Sequence, residues 1–403
     1  MLLCCVVFPS VAVALLFNEE PFSTTRVQLS MAASILAGLM FIVVKRQMSE
    51  IPSLRGTESN LAILIACFGL FATLLLLLRL EYSRVFLFSA FLFCFLGQMS
   101  LLAAGGKRQP GHFWVVPYGI VERIQNIAGV EYEKLQAPDV PQYPSRGIAV
   151  DLRAELPDEW ERMIAQSVLA GIPVYHVKQL EEALTGRVDI EHLSENTLGS
   201  LTPDKLSLQI KRIGDALASL LILPLLFPVF LIVAVLVKLD SKGPVFFLQK
   251  RIGHRGHNFR MIKFRTMTHR EASDEDVRDH AITQTDDQRI TRIGRFLRKY
   301  RIDELPQVFN VLKGEMSWIG PRPEALSLAQ WYEENLPFYS YRHIVRPGIT
   351  GWAQVNQGHV ADLHAVHEKL RYDFYYIKNF SIWLDFSIIA QTIRVMLSGF
   401  GSK

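Results

Sequence analysis

The sequence predicts a membrane protein of mixed α and α/β architecture. Three observations carry that prediction. Half of the 403 residues are hydrophobic and the mean hydropathy is positive, which excludes an ordinary soluble enzyme. Several uncharged apolar segments approach the length of a bilayer-crossing helix. Between them lie soluble stretches in which basic residues concentrate. The segments divide the chain into a four-helix transmembrane region (1–105), a small soluble α/β domain (106–205) and a mainly helical domain (206–403).

The first apolar segment, Leu2–Phe17, has no basic residues ahead of it and no clear cleavage site after it, where Glu19, Glu20 and Pro21 follow. It reads as a membrane helix rather than a signal peptide. Val27–Val44, Leu61–Leu78 and Val85–Ala104 follow, each close to the roughly 20 residues that cross a bilayer. Lys45, Arg46, Arg55, Lys107 and Arg108 place both ends of this four-helix unit in the cytoplasm, against the charges of the short turn Arg79–Arg84. The four cysteines lie in apolar segments without zinc-site spacing or a disulfide framework.

In the soluble stretch, Phe113–Val116, Gly147–Val150 and Ile172–Val174 read as strands. Ile120–Ile127 and Glu159–Leu169 read as helices alternating with them, which predicts an α/β unit. It has no glycine-rich phosphate loop, so its expected role is packing or assembly rather than cofactor binding. No internal repeat is visible.

Ala216–Val237 is uncharged and long enough to span a bilayer, yet Pro224 and Pro228 lie inside it. Proline removes a backbone donor and favours a kink. Lys211 and Arg212 on one flank and Lys238 and Lys242 on the other both favour the cytoplasm. A re-entrant helix over about 211–238, bent at Phe227-Pro228, satisfies both flanks; the alternative is a fifth spanning helix that exports the rest. Next, Lys242–Arg270 holds eight Lys or Arg and no acid. At a membrane boundary this suits anionic lipid or a phosphorylated ligand better than nucleic acid. Glu271–Asp287, with seven acids and one Arg, reads as a solvated loop. Phe380–Leu397, interrupted by Asp385, Gln391 and Arg394, reads as an interfacial amphipathic helix. His364 and His367 are three apart but have no third ligand.

The candidate site lies in Arg289–Glu324. Arg289, Arg292, Arg295, Arg298 and Arg301 recur every third residue, with Ile293, Phe296, Leu297 and Tyr300 between them, which predicts a helix with a cationic face. Asp303 and Glu304 follow, then Pro306, and Gly320-Pro321-Arg322-Pro323 forms a rigid turn around one guanidinium. Singly, these read as a solvated face, an N-capping acid and a plain turn. Together they predict a site for a phosphorylated substrate and a divalent metal. Lys263 and Arg265 alternate, which in an extended segment puts both on one face. They join Arg298 and Arg322 as expected phosphate binders. Adjacent carboxylates disfavour a glycosidase, which needs them about 5–9 Å apart.

From about Leu206 onward the chain resembles the bacterial sugar transferase family, the monotopic polyprenyl-phosphate glycosyl-1-phosphate transferases. The signatures are KRIGD (Lys211–Asp215), the proline-containing apolar helix, DSKGPVFF (Asp240–Phe247), QKRIG (Gln249–Gly253), KFRTM (Lys263–Met267), IDELPQVFNVLKGEMSWIGPRPE and RPGITGWAQV, in the family's order. The upstream regions resemble the larger members, in which a four-helix bundle and a Rossmann-like domain precede the catalytic part. LPDEWERMIAQSVLAGIPVYHVKQLEEALTGRV is similar to the end of that middle domain. One departure is Phe227, where the family commonly has Ser before the helix-bending proline.

The resemblance implies transfer of a sugar 1-phosphate from a UDP-sugar to undecaprenyl phosphate with release of UMP. Asp303 would be the nucleophile and Glu304 would help hold Mg²⁺. Lys263, Arg265, Arg298 and Arg322, with Pro321 and Pro323 framing the last, would bind phosphate. It also implies a bacterial inner membrane location, a cytoplasmic catalytic domain and membrane lipids as partners. The extra soluble unit suits a homodimer. The competing expectation is a non-catalytic membrane scaffold whose basic face binds lipid headgroups.

Overall fold

The structure, a computed structural model, describes residues 3–17, 24–49, 57–104, 111–121, 127, 130–141, 147–189, 203–268, 289–357 and 362–398. They divide into two compact units, 1–64 with 82–187, and 65–81 with 188–403. The longer part of the second unit begins at Val188. Asp189 joins it by pairing with Arg371 at 2.6 Å.

The first unit opens with a π-helical turn, Leu3–Val7, leading into α1 (Phe8–Phe17). It continues with α2 (Thr25–Ser49), the start of α3 (Thr57–Leu77) and α4 (Arg84–Ala104). Val13, Val27 and Phe86 form a common apolar core for α1, α2 and α4. The Ser30 hydroxyl of α2 accepts the Ser83 N–H at the head of α4 at 2.8 Å. Among the described residues, two helices are long and apolar enough to cross a membrane, Thr25–Arg46 and Lys205–Asp240. Leu3–Ala14, Ile63–Leu77 and Arg84–Gln98 are shorter apolar stretches.

The α/β part holds β1 (Gly111–Val115), β2 (Val130–Lys134), β3 (Ile148–Val150), α5 (Asp158–Leu169), β4 (Val174–His176) and α6 (Val177–Thr185). The strands form a parallel sheet in the order β2-β1-β3-β4. Alternation along the strands separates two cores. Phe113, Val115 and Ala149 pack with Val177 and Leu180 of α6, while Ile148 and Val150 pack with Trp160 and Met163 of α5. The expected strand at Ile172–Val174 is shifted to Val174–His176, because Pro173 has no N–H and contributes only its carbonyl, to Ile148 N. Of the expected helix Ile120–Ile127, Ile120 lies in a bend and 122–126 fall outside the described residues.

The second unit is organised on α7 (Lys205–Asp240), one helix that includes Pro224 and Pro228 and extends beyond the expected 211–238. Most of its apolar side chains are exposed, Phe227 at 59% and Leu239 at 80% among them. Both of its ends grip the rest of the unit. Near the N-terminus, Arg212 donates to Val311 O and Leu312 O at 2.6 and 2.7 Å. Asp215 accepts the Ser317 hydroxyl at 2.6 Å, and Lys211 pairs with Asp385 at 2.6 Å. Near the C-terminus, Phe230, Val233 and Val237 enter a core with Phe264, Leu297 and Val308.

An antiparallel hairpin follows, β5 (Phe246–Ile252) and β6 (Asn258–Phe264), then α8 (Arg292–Lys299). A 3₁₀ helix (Ile302–Gln307), α9 (Val308–Lys313), β7 (Ser317–Ile319) and α10 (Leu326–Asn335) come next. The unit ends with a second 3₁₀ helix (Tyr339–Ile344), β8 (Gly348–Thr350), α11 (Trp352–Asn356), α12 (Leu363–Lys378) and α13 (Ile382–Ser398). β7 and β8 pair in parallel. The face of α13 carrying Leu384, Ser387 and Ile388 is fully buried, and Asp385, which interrupts its apolar pattern, is the partner of Lys211. The acidic stretch 271–287 lies outside the described residues.

Arg265 closes α7. Its guanidinium, on a side chain 6% exposed, donates to Val237 O at 3.3 Å and to Ser241 O at 2.6 Å, carbonyls at the helix end. Replacing Arg265 with Ala removes the donor to Ser241 O and to Pro244 O, while Val237 O keeps the Ser241 N–H. The expected cost is about 3 kcal/mol, to be read as a lower unfolding temperature of the detergent-solubilised protein.

Candidate active site

Local chain geometry presents the acid pair. Thr291 caps α8, its hydroxyl accepting Gly294 N at 3.0 Å, and Asp240 at the end of α7 accepts Ile293 N at 3.0 Å. The helix begins there, so Arg289 lies outside it. At its other end Arg301 takes a left-handed conformation, φ 54°, which breaks α8 and starts the 3₁₀ helix. Asp303 and Glu304 occupy the first turn of that helix and are buried, 8% and 7% exposed.

The two carboxylates have different surroundings. Glu304 Oε1 accepts Lys263 Nζ at 3.1 Å and Arg322 Nη2 at 2.6 Å, while Oε2 accepts Arg322 Nη1 at 3.3 Å. Burial would raise the Glu304 carboxyl, but Arg322 and Lys263 outweigh it and hold it well below the ordinary value. Glu304 is therefore a fixed anion. Among the described residues no group hydrogen-bonds the Asp303 carboxylate, so the N-capping reading of Asp303 fails. Burial pushes Asp303 up to about 6, the neighbouring Glu304 adding to the rise against Lys263, Arg298 and Arg322.

Lys263 reaches the site from the end of β6. Burial lowers its pKa, and the Glu304 anion opposes that fall. Arg322 arrives on the Gly-Pro-Arg-Pro turn, which the RPGITGWAQV segment holds. Gly320 N donates to Thr350 O at 2.9 Å and Gly348 N to Pro321 O at 3.0 Å. The approach is close: a Cβ on Gly320 would meet Arg346 O at 2.3 Å. Pro321 and Pro323 are both buried at this turn. Arg298, partly exposed on α8, acts on Asp303 through its charge. Arg265 does not join the group: β6 ends at Phe264, and the next side chain turns to the end of α7.

Comparison with known proteins identifies this assembly. The family model described as bacterial sugar transferase matches residues 206–399. A UDP-N-acetylgalactosamine-undecaprenyl-phosphate N-acetylgalactosaminephosphotransferase of Aeromonas hydrophila is 42% identical over 385 residues, 95% of this chain and 90% of that protein. The chain belongs to the bacterial sugar transferase family. A UDP-glucose:undecaprenyl-phosphate glucose-1-phosphate transferase of Xanthomonas campestris pv. campestris is 44% identical over 205 residues, 49% of this chain and 41% of that protein. An exopolysaccharide production protein of Rhizobium leguminosarum bv. phaseoli is 42% identical over 193 residues, 47% of this chain and 95% of that protein.

In this sugar transferase no cluster of three His, Cys, Asp or Glu residues forms a metal cage among the described residues. The donor set suits Mg²⁺ nonetheless, since Mg²⁺ takes one or two carboxylates and completes its shell with phosphate oxygens and water. A carboxylate offers about four acceptor positions. Lys263 and Arg322 fill three on Glu304, so a position remains there for a cation.

Sequence reasoning missed the layer behind Arg322. Arg251, Arg342 and Asp373 were assigned no role, and neither were Lys369 and its partner Glu324. The available signal was Lys369 and Asp373, charges four apart on an otherwise apolar helical face and only 4% and 1% exposed.

The raised Asp303 carboxyl has a consequence for stability. Its folded value, about 6, exceeds the ordinary 3.8, so ionised Asp303 opposes folding at neutral pH. Asp303→Asn should stabilise the protein by about 3 kcal/mol above pH 6, and the gain should vanish below about pH 4, where both states carry the protonated acid. Unfolding temperatures of the two proteins from pH 4 to 8 test this.

Proposed function

We propose that this chain transfers a sugar 1-phosphate from a UDP-sugar to undecaprenyl phosphate, releasing UMP. The observation that carries the proposal is the contrast between the two carboxylates. Glu304 is paired with Lys263 and Arg322, while Asp303, its neighbour, is buried, unbonded and more basic than usual. A nucleophilic carboxylate needs a free lone pair and a site in which its charge does not repel a phosphate.

Asp303 attacks the β-phosphorus of the donor. The bond from that phosphorus to the bridging oxygen breaks, and UMP leaves with the electron pair. The sugar phosphate is then an acyl phosphate ester on Asp303. An oxygen of undecaprenyl phosphate attacks the same phosphorus and restores the carboxylate. Lys263 and Arg322 neutralise the donor diphosphate, and Arg298 lies on the Asp303 side. Arg322 presents a planar fork suited to bidentate phosphate contact. Mg²⁺ held beside Glu304 would supply further neutralisation of the donor's phosphate oxygens.

The lipid acceptor requires the site to face a membrane. We assign α7 as a re-entrant helix bent about Phe227-Pro228, in the bacterial inner membrane with the catalytic unit on the cytoplasmic face. The support is that Arg212, Asp215 and Lys211 at one end, and Val233 and Val237 at the other, all engage the same folded unit. A helix crossing the bilayer would separate those ends. A homodimer and surrounding membrane lipids complete the assembly, and its product starts an exopolysaccharide, capsule or O-antigen chain. UDP-N-acetylgalactosamine is the first donor to test, because the relative that matches over nearly the whole chain carries that name.

Purified protein with undecaprenyl phosphate and Mg²⁺ should release UMP from one UDP-sugar of a panel. Asp303→Asn should abolish release, and the rate should fall in acid through an apparent pKa near 6. Release that persists in the folded Asp303→Asn protein would remove Asp303 as nucleophile. No release with any donor would favour the scaffold. Topology is tested separately by single cysteines at Leu206 and Leu239, exposed positions near the two ends of α7, in a cysteine-free variant. A membrane-impermeant thiol reagent should label both in inverted vesicles and neither in right-side-out ones, and labelling from opposite sides would refute re-entry.

A further inference from the structure

We infer that Arg342, locked to Asp373, is a positioning residue that sets the Arg322 guanidinium through the backbone of its turn; this rests on the transferase reading. Three consecutive carbonyls of that turn are each held by a donor from elsewhere. Pro321 O accepts Gly348 N at 3.0 Å, Arg322 O accepts Arg342 Nη2 at 2.9 Å, and Pro323 O accepts Arg251 Nη1 at 3.0 Å. The two prolines have no N–H, so carbonyls are the handles that the chain offers there.

Arg342 itself is fully committed. Asp373 accepts its Nε at 3.1 Å and its Nη2 at 2.8 Å, and the Tyr339 hydroxyl accepts its Nη1 at 2.7 Å. Arg342 is 2% exposed and Asp373 1%, so neither can meet substrate. A buried ion pair is a poor way to gain stability, since well-packed apolar residues do as well or better. An apolar pair, however, cannot hold a carbonyl. Asp373 lies four residues after Lys369 on α12, and Lys369 pairs with Glu324, the residue just after the turn. Glu324 lies 4.0 Å from Arg251. One face of α12 thereby backs both arginines that grip the turn.

Arg342→Lys replaces a fork by a single ammonium, which cannot span Asp373, Tyr339 and Arg322 O together. In the full-length protein kcat for UMP release should fall on the order of 10²-fold, the cost of a small misplacement of a charge-stabilising group. KM for the UDP-sugar should change less than about threefold. In an Arg322→Lys background the same substitution should cost less than about threefold, because the group it positions is already altered. Equal losses in the two backgrounds, or no loss, would overturn the inference. If Arg342→Lys does not fold, Tyr339→Phe, which removes one hydroxyl acceptor, takes its place in the same cycle.

A second readout is independent of turnover. Phenylglyoxal modification of Arg322, followed by mass spectrometry, should be faster in Arg342→Lys than in the parent, and an unchanged rate would overturn positioning. If the parent releases no UMP from any donor, the transferase reading fails, and the modification rate alone then decides whether Arg342 sets Arg322.

Discussion

Glu304 is a buried anion, and the second unit is built to compensate it. A carboxylate with so little exposure is stable only when paired and hydrogen-bonded. Lys263 comes from a hairpin and Arg322 from the turn that follows β7, on the way to its parallel partner β8. One residue away the surroundings differ, because the cations that pair with Glu304 leave Asp303 unbonded and raised towards neutrality. Two carboxylates adjacent in sequence thus acquire different proton affinities from their surroundings alone.

The sequence made the chemistry of the site more legible than its scaffolding. Asp303, Glu304 and Arg322 stood out because charge near proline is conspicuous and Lys263 because it alternates with Arg265, and three of the four are joined by ion pairs. Arg265 was grouped with them because extended residues two apart share a face. That rule ends with β6 at Phe264, one residue too soon, and Arg265 serves the end of α7. β2 escaped notice because Glu131, Glu133 and Lys134 give it a polar appearance although its edge position needs few apolar contacts. Arg342 and Asp373 were invisible for a different reason. Their partners are 31 residues apart, and nothing local distinguishes a buried ion pair from a solvated one.

The two units use hydrophobicity differently. In the α/β part, strand alternation sends apolar side chains into two cores separated by a sheet. In α7 the relation is reversed along part of the helix: Phe230, Val233 and Val237 are buried in protein while Phe227, Leu231 and Leu239 are exposed. One helix supplies both core and outer apolar surface, which is why its composition alone identified a membrane segment but not which residues faced the protein.

That sharing of α7 has a mechanical corollary. A tethered enzyme can be cut from its anchor and remain folded. Here Phe230, Val233 and Val237 are part of the packing around Phe264 and Leu297, while Arg212 satisfies the last carbonyls of α9. Cutting α7 away would therefore empty the centre of the second unit, so this helix is no detachable anchor: severing it and unfolding the unit become one cooperative event.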